Sequence, residues 1–121
     1  MTELTNEQKQ IREILIEVAK TGRPIWYSDL IERAGLNLNT VNPAHRKELG
    51  HLLGAISTYE YENNRPMLSS VVVSKDTLMP SKGFYKLAEE LGNGNWQTLK
   101  ETYWGIEEMN RAFKFWQNSN K

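Results

Sequence analysis

The segment NPAHRKELGHLLGAISTYEYEN, Asn42 to Asn63, decides how this chain is read. Asn42 can cap a helix, and Pro43 suits its first position, where the missing N–H would have had no intrahelical partner. Leu49, Leu52, Leu53 and Ile56 recur at helical spacing, Tyr59 continues the stripe, and Asn63-Asn64-Arg65-Pro66 ends the run. His45, Arg46, Lys47 and His51 fall mostly off that stripe, which predicts a helix with one buried side and a polar, basic start. Gly50 and Gly54 each weaken a helix by roughly 1 kcal/mol relative to alanine. The pair therefore predicts a second backbone lying close, with Leu52 at the packing centre.

Upstream, Thr5 followed by Gln8 is a capping-box pattern, and Ile11, Ile14, Leu15, Val18 and Ala19 repeat at helical spacing until Gly22. Gly22-Arg23-Pro24 breaks that helix. Ile25-Trp26-Tyr27 reads as a short extended piece, Ser28 as a cap for a helix over 29–34, and Gly35 as its stop. Downstream, the β-branched Val71-Val72-Val73 mark 67–74 as a strand. A turn over 75–83 leads to Phe84-Tyr85, either a returning strand or the start of a helix carrying Leu87, Ala88 and Leu91. The last helix is expected over about 96–117, bent at Gly105, with 118–121 fraying.

At 121 residues the chain is predicted to form one domain over 1–121, with its core within about 6–92. No apolar run approaches the roughly 18 residues of a membrane helix, and the first residues carry no signal-peptide pattern, so a cytoplasmic, non-membrane protein is expected. The absence of cysteine removes disulfides, thiolate catalysis and Cys-ligated zinc together. Fifteen basic and fifteen acidic residues cancel, which argues against indiscriminate phosphate binding. The layout is uneven, however: Arg65, Lys75, Lys82 and Lys86 face Asp76 alone, whereas Glu89, Glu90, Glu101, Glu107 and Glu108 face only Lys100.

The expected order, helix, short strand, short helix, longer helix, hairpin, is that of a winged helix-turn-helix with extra N- and C-terminal helices. The fold class is therefore mainly α with a small β-hairpin. In that architecture the third helix enters the major groove of double-stranded DNA and the hairpin lies beside it. His45, Arg46, Lys47 and His51 at the start of the third helix, with Lys75 and Lys82 flanking the turn, then become the candidate DNA contacts. The alternative is that these are solubilising surface charges.

Trp26-Tyr27-Ser28-Asp29-Leu30-Ile31-Glu32-Arg33-Ala34-Gly35, Lys47-Glu48-Leu49-Gly50-His51-Leu52-Leu53, and Pro66 through Val71-Val72-Val73 to Gly83-Phe84 resemble the winged-helix domain of O6-alkylguanine-DNA alkyltransferases and alkyltransferase-like proteins. The resemblance covers roughly residues 24–85. It implies that Tyr27 contacts a phosphate and that Lys47 stands where the family usually has an arginine that pushes into the duplex. The family's Pro-Cys-His-Arg-Val signature falls on Leu68-Ser69-Ser70-Val71-Val72. Ser69 lacks the low thiol pKa of a usable alkyl acceptor and Ser70 replaces the activating histidine, so alkyl transfer is rejected. The chain is also similar to small bacterial or phage proteins of this winged-helix type.

Other constellations carry less. His45, Glu48 and His51 suggest a metal site, but at about 100° per residue the two histidines stand about 240° apart around a helix, and no metal or other cofactor is expected. Ser69 and Ser70 have no evident base and read as small residues of a strand touching the third helix. Trp104 falls about 180° from Phe113 on a straight helix. Trp104 and Trp116 are thus candidate anchors for a homodimer or another protein partner, unless the bend at Gly105 lets both sides pack inward. The first expectation is a non-enzymatic DNA-binding protein; the alternative is a protein-interaction module, an adaptor or inhibitor, that uses the aromatic C-terminal helix.

Overall fold

The structure, a computed structural model, describes residues 1–119. It is mainly helical with one two-stranded parallel sheet. Helix α1 spans Asn6–Thr21, β1 Ile25–Trp26, α2 Tyr27–Ala34 and α3 Pro43–Glu62. A 3-10 turn, Leu68–Val71, runs into β2, Val72–Val73, and is followed by α4, Lys82–Glu90, α5, Trp96–Glu101, and α6, Trp104–Asn118. Among the described residues no helix is long and apolar enough to cross a membrane. The expected fraying of 118–121 falls partly outside the described residues; Asn118 is the last residue of α6.

The helix starts follow their local chemistry. Thr5 Oγ1 accepts the Gln8 N–H and Gln8 Oε1 accepts the Thr5 N–H, which satisfies two donors that the first turn leaves free. Gly22 closes α1 at φ 75°, a conformation open to glycine because it lacks a Cβ. At α3, Asn42 Oδ1 accepts the Ala44 N–H at 2.9 Å with Pro43 behind it. Helix α2 starts one residue before its expected cap, at Tyr27 rather than after Ser28, with no side chain capping it.

The expected hairpin does not form. β2 pairs with β1 in parallel, Ile25 opposite Val72 and Trp26 opposite Val73. Phe84 and Tyr85 do not return as a strand, because with Ala88 they form the buried side of α4. Among the described residues the extended partner left for the valines is Ile25–Trp26, reached through the α2–α3 crossover, and such a long connection gives parallel pairing. Leu68 to Val71 coil instead of extending; all four are buried against α1, α3 and α6.

Two apolar clusters result. The larger joins α1, α2, α3, the 3-10 turn and α6 around Leu15, Leu30, Leu53, Ile56, Leu68 and Phe113. The smaller joins Met67, Phe84, Tyr85, Ala88 and Leu99, with Trp96 and Trp104 packed at its edge. Leu49, Leu53 and Ile56 are the buried residues of the α3 stripe, while Leu52 is only half-buried beside them, so the packing centre is shifted from Leu52 to Leu53. Burying a side chain such as Leu53 contributes about 1.5–3 kcal/mol.

The single C-terminal helix expected over 96–117 is two. The chain breaks at Thr102–Tyr103, where Tyr103 takes φ 60°, so the interruption falls before Gly105 is reached. Gly105 serves close packing instead of bending, since a Cβ there would run into the Tyr85 hydroxyl. The close approach predicted for Gly50 and Gly54 is therefore found at Gly105. Gly50 has nothing within 4 Å of its Cβ position, and Gly54 meets only Leu87 at an ordinary 3.8 Å.

Candidate nucleic-acid interface

The loop before α3 is shaped by the first turn of that helix. Asn39 Oδ1 accepts the Val41 and Asn42 N–H groups, and the Asn39 N–H donates to His45 Nδ1 at 3.0 Å. Arg46 Nη1 donates to the Thr40 and Val41 carbonyls at 2.7 and 3.1 Å. His45 is thereby engaged in holding the loop, and accepting through Nδ1 requires its ring proton on Nε2. Arg46 spends one nitrogen on the same loop, and its other nitrogens have no hydrogen-bond partner among the described residues.

Between α3, β1, the 74–81 loop and the start of α4 lies an open cleft of about 1210 Å³. Arg46, Lys47 and His51 line it from α3, Trp26 and Tyr27 from β1 and α2, Lys75 from the loop, and Lys82 and Lys86 from α4. Its carboxylates are Asp76 and Glu90, so five Lys or Arg side chains outnumber two acidic ones. Of the residues singled out from the sequence, Tyr27, Arg46, Lys47, His51, Lys75 and Lys82 share this cleft; His45 does not line it. Gly50 and Gly54 bare the adjoining face of α3, which widens the cleft where larger side chains would fill it.

Three of the lysines are held over indoles. Lys75 Nζ lies 4.7 Å from the Trp26 ring centre, and Lys82 and Lys86 Nζ lie 4.9 and 5.8 Å from that of Trp96. Each contact is worth about 0.5–1 kcal/mol at an exposed site, which biases the ammonium position without desolvating it. Lys86, part of the basic excess in the sequence, was not among the expected DNA contacts. Its spacing of one helical turn from Lys82 was the available signal, once the segment was assigned to a helix.

Tyr27 is half-buried, and its oxygen accepts the Ser81 N–H at 2.9 Å, at the residue that precedes α4. Burial pushes its hydroxyl above the ordinary value of 10.0, against the hydrogen bonds from Ser81. The phenol therefore stays neutral near pH 7.

Ser69, on the cleft wall, touches α3 as expected, though from the 3-10 turn and not from a strand. Ser57 Oγ accepts the Ser69 N–H at 2.9 Å and lies 2.6 Å from Ser69 Oγ. Both serines are buried, and either hydroxyl can donate to the other. Ser70 Oγ is buried with no hydrogen-bond partner among the described residues.

The two tryptophans singled out as partner anchors pack inward. Trp104 lies 5.9 Å from Phe84, ring centre to ring centre, with the Arg111 guanidinium over its face. Trp116 packs on the α1–α6 cluster beneath Arg12, its Nε1 buried without an acceptor among the described residues. Among the described residues no group of three His, Asp or Glu side chains is arranged to hold a metal ion. No known protein family, curated protein or solved structure matches the chain.

Proposed function

We propose that this chain is a non-enzymatic DNA-binding protein of the winged-helix type, and that double-stranded DNA sits across the cleft. In this reading the start of α3 faces the groove, while the 74–81 loop and the first turn of α4 contact the backbone. The observation that carries the reading is the convergence of Arg46, Lys47, His51, Lys75, Lys82 and Lys86 on one cleft from three separate chain segments. In a chain with no net charge, a cleft with five Lys or Arg side chains against two carboxylates favours an anionic ligand. Tyr27, Ser28 and Ser74 add neutral donors of the kind that position phosphates. The 74–81 loop takes the place of the wing without being a hairpin.

Duplex binding measured by fluorescence anisotropy against salt tests this. The affinity should fall linearly on logarithmic axes, and a Lys47→Glu, Lys82→Glu double variant should bind more weakly with the slope reduced by about 2. No binding at low ionic strength, or an unchanged double variant, refutes it. The alternative of a protein-interaction module built on the aromatic C-terminal helix has less support, because Trp104 and Trp116 are both engaged within the chain.

A further inference from the structure

Leu78 breaks two local rules at once. Its φ is 58°, in the left-handed region where a Cβ crowds the following carbonyl and where glycine or asparagine is the usual occupant. Its side chain is also 56% exposed, whereas every other leucine among the described residues is buried or half-buried. Neither the backbone nor the solvent at this position favours leucine.

Hydrogen bonds nevertheless define the loop backbone on both sides of Leu78. The Leu78 N–H donates to the Ser74 carbonyl at 2.8 Å, and the Ser74 N–H donates to the Met79 carbonyl at 2.9 Å. Thr77 Oγ1 accepts the Met79 N–H at 3.2 Å. Asp76 and Ser81, two and three residues from Leu78, line the basic cleft; Leu78 does not line it itself and projects from the loop between them. Asp76 is the loop's only carboxylate, and Lys75 and Lys82 bracket the turn.

An exposed aliphatic side chain on a hydrogen-bonded loop beside cations has the chemistry of a wedge. Apolar side chains of this kind enter between base pairs, partly unstack them and bend the duplex, while neighbouring cations hold the phosphates. We propose that Leu78 is such a wedge, entering a base-pair step of the duplex bound across the cleft; this rests on the DNA-binding reading above. The strained φ is then the cost of presenting an aliphatic tip at a set angle, and pyrimidine–purine steps, which unstack most easily, are the preferred targets.

Tyr103 supplies the control, since it shares both features, φ 60° and 62% exposure, but sits at the α5–α6 junction, where none of the adjoining residues lines the cleft. Leu78→Asn and Tyr103→Asn each place a residue that tolerates the left-handed conformation, so both variants should fold and melt no lower than the parent. A short duplex with 2-aminopurine placed at successive steps reports unstacking as a rise in fluorescence. The parent protein should give that rise at one step, most strongly at a pyrimidine–purine step. Leu78→Asn should abolish it and weaken binding about tenfold, while Tyr103→Asn should match the parent. If Leu78→Asn binds and unstacks as the parent does, or if Tyr103→Asn is equally impaired, the wedge is refuted while duplex binding stands. If the parent protein binds no duplex, the functional reading and the wedge fall together.

Discussion

The Tyr27 hydroxyl oxygen accepts a hydrogen bond from the Ser81 backbone N–H at 2.9 Å, joining the first residue of α2 to the residue that precedes α4. This bond ties two walls of the cleft together and uses a lone pair on the phenol, whose O–H would be the group that donates to a bound phosphate. Tyr27→Phe should cost about 1 kcal/mol of stability and should weaken duplex binding through both effects. Urea denaturation together with the salt titration checks it.

The same residue sets an alkaline limit. Tyr27 and Tyr85 both have hydroxyls pushed above 10.0, Tyr27 by burial and Tyr85 by burial and then by Tyr27 itself. In the unfolded chain these groups ionise at the ordinary value, whereas in the folded chain they hold their protons longer. Above pH 10 the unfolded state therefore carries fewer protons, and stability falls as pH rises through the folded values; below 10 these groups add no slope. Denaturation midpoints followed from neutral to alkaline pH should show this decline, and Tyr27→Phe should make it shallower.

Glu60 is fully buried, with Arg12 Nε at 2.5 Å from one oxygen and Arg65 Nε at 2.6 Å from the other. Both guanidiniums also lie over the Tyr59 ring, so α1, the C-terminal end of α3 and the segment after it meet at one carboxylate. Glu60→Gln should destabilise by about 3 kcal/mol, since it leaves two arginines without their counter-charge. Arg65→Ala should cost less, about 1–2 kcal/mol, because Arg12 still compensates the carboxylate. Chemical denaturation of the two variants measures the difference.

Gly105 and Tyr85 should behave as a coupled pair. Gly105→Ala forces a methyl into the Tyr85 hydroxyl and should cost about 1–3 kcal/mol. Tyr85→Phe removes an oxygen that is buried without a partner among the described residues, so alone it should be close to neutral. The double variant should recover part of the loss. It cannot recover all of it, because two ring carbons would still stand 3.0 and 3.2 Å from the new methyl. A double-mutant cycle in thermal unfolding reads the coupling.

Gly50 separates stability from binding. With nothing near its Cβ position, Gly50→Ala should stabilise α3 by about 0.5–1 kcal/mol. Gly50→Leu should also fold, but it fills the cleft floor and should weaken duplex binding, which melting and anisotropy measurements can separate.

The helices α1 and α3 were legible from residue order, because their caps and apolar spacing are local: Thr5 with Gln8, Asn42 with Pro43, Leu49 with Leu53 and Ile56. The basic side chains of the cleft were legible too, as residue types at helix starts and turns. Their sharing of one surface was not, since Lys47 and Lys82 are brought together only by the packing of α3 beside α4.

What the sequence alone determined, then, is where helices start, which sides of them are apolar, and that cysteine chemistry is absent. Tertiary structure decided the rest. Whether Val72–Val73 pair in parallel or turn back depends on which extended segment is free to pair, and that is Ile25–Trp26, more than forty positions earlier. Whether a glycine marks close approach depends on what lies opposite, which is open space at Gly50 and Tyr85 at Gly105. Hydrogen bonding within four residues and side-chain periodicity are encoded locally, whereas pairing, burial of Glu60 and cleft formation are properties of neighbours that sequence distance conceals.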